Sequence, residues 1–234
     1  MPGRMRFHTH ECRWFFDGPP PSDVVGWFRE VTPWQRDPGV ESPAWPSRWR
    51  EDRYLTLSGR DDLGIKSRSE PAHGGGLWAR MEIKGRAAEL GHVELAAGVD
   101  GLVERWVKWS HPADGVPAAL RAMMTGPDAV TVRKKRLLRR VRLRPGDLAV
   151  EIPPEVPPPG RGLSVEVTHV EAEGRAFWTV GLEAHPWEEG IHVAFVVTAA
   201  SLFESYPGTS PLGVDRSWSY PAWLLRQAGP AGQG

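Results

Sequence analysis

Cysteine is almost missing. Cys12 stands alone in 234 residues, which excludes an intrachain disulfide and favours a reducing compartment. Net charge is missing as well. The 29 basic residues are balanced by 29 acidic ones, so the chain is not a uniform coat for a polyanion, although a local basic site stays open. No apolar run reaches the length a helix needs to cross a bilayer. The first residues, MPGRMRFHTHECRWFF, hold no apolar core of the kind a secretory signal needs. A cytoplasmic location without a membrane partner is the expectation. The triple glycine at 74–76 is not followed by Gly-Lys-Ser/Thr, so it is not a P-loop.

What is abundant is tryptophan at 12 residues, proline at 23 and glycine at 26. That mixture suits short strands, frequent turns and flat side chains packed on a sheet. The pattern predicts about eight strands, at 6–16, 53–57, 63–69, 77–86, 102–109, 130–142, 163–170 and 175–184. Several are joined by hairpin-length loops, such as 58–62 and 171–174, which favours antiparallel pairing. Three helices fit around them. Ser22 can cap one that carries Val24, Trp27, Phe28 and Val31. Residues 117–124 form a second, with Pro117 in the first turn. Residues 193–206 form the clearest, with a stripe of Phe195, Val196, Ala199, Leu202, Phe203 and Tyr206, ended by Pro207. Residues 153–159 read as a proline-rich extended loop. We expect one domain over 1–228 and a disordered tail over 229–234.

The strands carry charge at every second position. Arg80, Glu82, Lys84 and Arg86 alternate with Ala79, Met81, Ile83 and Gly85; Lys66 and Arg68 alternate with Ile65 and Ser67. Strand side chains alternate faces, so each stretch has a charged face and a mainly apolar one. One such strand is an ordinary solvated strand, held by surface ion pairs. Repeated along the chain, the pattern predicts charged faces turned toward each other. The fold class is mainly β, an antiparallel barrel of about eight strands around a charged tunnel, flanked by a few helices. In strand 130–142 the register that turns Lys134, Arg136 and Arg140 inward matches the other strands, and a one-residue slip would reverse it. Converging cations need counter-ions. Glu11, Glu82, Glu104, Glu166 and Glu183 are one source, and a multivalent anion such as a polyphosphate is the other.

The order of these motifs resembles that of the CYTH-like, or triphosphate tunnel metalloenzyme, superfamily, over residues 7–184. The Glu-x-Glu-x-Lys strand of that family is matched by Thr9, Glu11 and Arg13. Lys66 and Arg68 match its Leu-Arg-x-Arg-like segment, Lys84 a following basic position, and Lys134 and Arg136 its Lys-x-Arg strand. Glu166, Gly174 and Glu183 resemble its final acidic hairpin. Thr9 and Gly181 stand where the family has acids. The resemblance implies a charged tunnel that binds a triphosphate- or polyphosphate-type ligand. Phosphate contacts would come from Arg13, Lys66, Arg68, Lys84, Lys108, Lys134 and Arg136. Glu11, Glu166 and Glu183 would hold Mg or Mn for hydrolysis of a terminal phosphate. With two acids missing, binding is the firmer expectation than catalysis.

Other signals have plainer readings. His8, His10 and Cys12 share a strand face, but a tetrahedral zinc site needs a further ligand. Cys12 reads as a buried thiol. Residues 133–140, RKKRLLRR, admit a nucleic-acid patch, though Leu137 and Leu138 interrupt it. Residues 217–225, SWSYPAWLL, fit an aromatic cover on the barrel mouth or outer face. The functions to separate are a phosphohydrolase, a non-catalytic phosphate-ligand module and a nucleic-acid binding module.

Overall fold

A computed structural model describes residues 5–68, 80–112, 115–144, 149–156, 160–186 and 188–228. The predicted tail, the triple glycine and part of the proline-rich loop lie outside the described residues. The strands are β1 (Met5–Asp17), β2 (Gln35–Arg36), β3 (Arg50–Leu55), β4 (Leu63–Arg68), β5 (Arg80–Ala96), β6 (Val99–Pro112), β7 (Ala129–Leu143), β8 (Ala149–Ile152), β9 (Gly162–Ala172) and β10 (Arg175–His185). Eight of them follow the order β7-β3-β4-β5-β6-β1-β10-β9, and β9 pairs back onto β7, so the antiparallel barrel is closed. Closure leaves none of the eight with a bare edge. The short strands β8 and β2 extend the sheet beyond β7.

Alternation explains why these segments are strands and also which way each face turns. In β1 the even residues Cys12, Trp14 and Phe16 join the large apolar cluster, together with Trp178, Val180 and Leu182 of β10. The odd residues Glu11 and Arg13 face the barrel cavity. The main core therefore lies outside the barrel wall. It is capped by α1 (Ser22–Glu30), through Val24 and Phe28, and by α3 (Ile191–Phe203), through Ile191, Phe195, Ala199, Leu202 and Phe203. Burying each such side chain contributes on the order of 1.5–3 kcal/mol. Ser22 takes the first helical position of α1 rather than its cap, and no side chain caps that end. A smaller helix, α2 (Ala118–Met123), lies where the sequence places it.

The β9–β10 hairpin shows how local chemistry sets the register. Its two-residue turn, Glu173 and Gly174, has positive φ at both positions, 50° and 74°. A turn of that kind matches strand twist. It places Glu166 opposite Gly181 and Thr179 opposite Thr168.

One end of the barrel is filled. α4 (Tyr220–Gln227) begins at Ser219, whose Oγ accepts from the Ala222 backbone N–H. Its Trp223 stacks on Phe15 at 4.7 Å between ring centres. Together with Tyr54, Val132, Val170 and Phe177 these residues form a second apolar cluster. The segment ahead of the helix is tied to the wall. Ser217 bridges to Trp14, and the Trp218 backbone N–H donates to the Arg13 carbonyl. The aromatic run 217–225 is thus an internal stopper.

Candidate functional site

Beyond that stopper the interior is polar. It forms a partly open cavity lined by eight basic side chains and five carboxylates. Arg13, Lys66, Arg68, Lys84, Lys108, Lys134 and Arg136 all line it, and so do Glu11, Glu166 and Glu183. Strand parity delivers them, because each is an inward residue of its strand. Arg140 shares the parity of Lys134 and Arg136 but is not among the lining residues.

Three carboxylates act as hubs, each shared by several cations. Asp52 is 0% exposed. Its oxygens lie 3.0 Å from Arg50, 3.6 Å from Arg68, 3.6 Å from Lys134 and 3.8 Å from Lys66. Glu82 lies 2.9 Å from Lys66 and 3.4 Å from both Arg68 and Lys108. Glu166 takes Arg13 at 2.7 Å and Arg136 at 2.8 Å. Burial alone pushes a carboxyl up. Here the cations outweigh it and hold Asp52, Glu82 and Glu166 well below the usual carboxylate range. Glu104 runs the other way, because burial outweighs its bonds to Arg86 and Trp106.

These shifts set an acid limit on the fold. Groups with lowered folded values add stability that is complete above their unfolded titration, near pH 4, and is lost as pH falls below it. Chemical denaturation at stepped pH is therefore expected to show stability declining from about pH 6.5, where the unfolded chain takes up a proton that buried His10 resists, and falling more steeply below 4 as the hub carboxylates titrate. Constant stability down to pH 2 would contradict the hub geometry.

Arg13 explains a residue that the motif comparison leaves odd. Its guanidinium donates to Thr179 Oγ1 at 2.9 Å and crosses directly over Gly181. A Cβ on Gly181 would sit 2.5–2.6 Å from the guanidinium atoms. A side chain at 181 would have to push the Arg13 guanidinium aside. Gly181→Ala is expected to displace Arg13 from Glu166 and to lower the melting temperature, which a thermal melt reads directly. Thr9 is buried in the wall and donates to Glu11 Oε1 at 2.6 Å.

The carboxylates predicted to hold a metal do not form a donor set for one. Glu11 stands opposite Glu104 on one side and Glu183 on the other, but both of its oxygens accept from Lys84 Nζ. Glu166 is enclosed by two arginines. Glu183 lies under the charges of Lys84 and Lys108, and among the described residues no group of three His, Cys, Asp or Glu is placed to hold an ion. Hard cations need several free oxygens on one centre, and these residues do not present them.

The structure also brings in residues that the sequence reading did not select. Arg50, Asp52 and Tyr54 come from β3, which starts at Arg50 rather than at 53, and Tyr220 comes from the stopper. The alternation of Arg50, Asp52 and Tyr54 was the available signal. The basic run 133–140 does not form one patch. Lys134 and Arg136 point inward, Arg133 and Lys135 flank the Trp49 ring outside, and Arg139 is buried beside Glu151. His10 packs edge-on against His192 at 5.7 Å, and burial first, then His192 and Arg105, lower it to about 4. Burial pushes the Cys12 thiol up to about 12, so it is inert.

No known family profile matches the chain, and no curated protein matches it. Among solved structures it is similar to the PH1819 protein from Pyrococcus horikoshii OT3, at 15% identity and a TM-score of 0.43, over 92% of this chain and 99% of that one. A likeness that remote carries no statement about function, which rests on the cavity itself.

Proposed function

We propose that the barrel interior binds a compact polyphosphate, inorganic or organic, of the kind the triphosphate tunnel resemblance implies. One observation carries this: eight basic side chains share a single cavity, and two carboxylates, Asp52 and Glu82, are each divided among several of them. A multivalent phosphate supplies the missing counter-charge, and arginine and lysine match its oxygens in geometry as well as sign. Small barrels close well with apolar side chains. Buried ion pairs replaced by well-packed apolar groups are often neutral or even stabilising. Charge kept at this cost points to recognition rather than to stability. The reading is of binding and not of hydrolysis, because Glu11 is taken up by Lys84 and Glu166 by Arg13 and Arg136.

The test is a thermal melt with tripolyphosphate, ATP, pyrophosphate and phosphate, each with and without Mg²⁺ or Mn²⁺. A ligand at a hundred times its Kd adds about 2.7 kcal/mol, which raises the melting temperature of a domain this size by roughly 5–10 °C. Tripolyphosphate is expected to give the largest rise and phosphate the smallest, without a requirement for metal. Absence of a shift with all four rejects the proposal.

Binding is also expected to weaken with rising pH. Burial outweighs Asp52 and Glu82 and lowers Lys66 to about 8. An anion prefers the charged ammonium, so affinity is full below pH 8 and drops as Lys66 loses its proton above it. Calorimetric titration at pH 7 and pH 9 measures the difference.

A further inference from the structure

Lys134 differs from the other lysines of the cavity. Lys66, Lys84 and Lys108 each lie directly against a carboxylate, Glu82, Glu11 and Glu82 in turn. The hydrogen bond of Lys134 runs instead to the neutral phenol of Tyr54, Nζ to Oη at 2.7 Å. Its Nζ sits 3.5 Å from the centre of the Tyr220 ring and 4.8 Å from that of Tyr54. The residue is 5% exposed, yet it lines the cavity. Asp52 is the nearest carboxylate at 3.6 Å, and its charge is already shared with Arg50, Arg68 and Lys66.

We propose that Lys134 is a nucleophilic amine that condenses with the carbonyl carbon of a phosphorylated aldehyde or ketone held in this cavity. Burial beside other cations disfavours the ammonium form of an amine, which is the standard way to activate a lysine for carbonyl chemistry. Burial first, and then Lys66, Arg50 and Arg13 against Asp52, bring Lys134 well below the ordinary lysine range. Tyr54 stays a protonated phenol, since burial and Asp52 push it up. Its Oη, the hydrogen-bond partner of Lys134 Nζ, relays a proton, giving one to the carbonyl oxygen and taking one back from the nitrogen. The Lys134 nitrogen forms a bond to carbon and the carbonyl π bond opens to a carbinolamine. Loss of that hydroxyl with a proton gives the imine. The two hydrogens of the amine and the carbonyl oxygen leave as water, so no oxidant or reductant is required. Arg50 pairs with Lys134 across β3 and β7, which puts an anion-binding group beside the nucleophile. The phosphate half of this inference rests on the polyphosphate reading; the amine half does not.

The experiment uses pyridoxal 5′-phosphate as the probe, sodium borohydride to trap the imine, and peptide mapping to locate it. The chain has five lysines, and Lys135, which lies outside the barrel against Trp49, is an internal control. The expected result is one reduced adduct per chain, on Lys134. Tripolyphosphate should suppress it, and pyridoxal without its phosphate should give at least tenfold less. Lys134→Arg keeps the charge and should lose the adduct. If that variant does not fold, the map of the unaltered protein decides alone. Label on Lys135 or spread over all five lysines, in protein that tripolyphosphate still stabilises, overturns the inference and leaves the binding reading standing. Label on Lys134 that pyridoxal matches and tripolyphosphate does not suppress supports the amine and removes the phosphate reading.

Discussion

Asp52→Ala is expected to cost about 3–5 kcal/mol of folding stability, the range found when one partner of a buried ion pair is removed. The reason is local. Arg50, Lys66, Arg68 and Lys134 all lie within 3.8 Å of this one carboxylate, and removing it leaves these four basic groups without the charge they share. Urea titration is the measurement. The matched control is Glu171→Ala, which breaks the exposed pair with Arg133 on the outside of β7 and β9 and should cost no more than about 1 kcal/mol. The loss at Asp52 should also be partly reversed by tripolyphosphate, since a bound anion restores the missing negative charge. If Asp52→Ala proves as mild as the control, the hub is not holding the cations and the account of the cavity fails with it.

Lys108→Glu should abolish tripolyphosphate binding while leaving the barrel folded. Lys108 reaches the cavity from β6, and its carboxylate partner Glu82 is also held by Lys66 and Arg68, so the fold does not depend on it alone. Reversal changes the local charge by two units. A single unit charge at 4 Å is worth roughly 4 kcal/mol at the effective dielectric near protein surfaces, so a loss of about a thousandfold in affinity is the conservative expectation. Lys108→Gln, which only removes the charge, should lose about ten- to a hundredfold, in line with a charge-assisted hydrogen bond. Isothermal titration on folded protein gives both values. Unchanged affinity in the reversal variant would place the anion elsewhere.

The barrel was legible because strand side chains alternate. Glu11 and Arg13, Lys66 and Arg68, and Glu82 and Lys84 declare their inward face by spacing alone, and the register of Lys134 and Arg136 follows from the same parity. Asp52 was hidden by a boundary. The proline-rich stretch before β3 made the strand seem to begin at Arg53, one residue past the hub. The length of β5 was hidden by its bulges, where register shifts at Arg86/Ala88, Glu89/Gly91 and Glu94/Ala96 break the alternation. α4 was missed because it is eight residues long and opens with proline at its second position, which leaves little helical period to read. The engagement of each carboxylate by particular cations depends on contacts between strands far apart in sequence, and no single-strand pattern encodes that.

The stopper at the end of the barrel has one more consequence. With Trp223, Phe15 and their neighbours filling that end, no guest leaves through it, and none can be pushed through from behind. A long polymer cannot thread such a vessel. It can offer no more than its terminus.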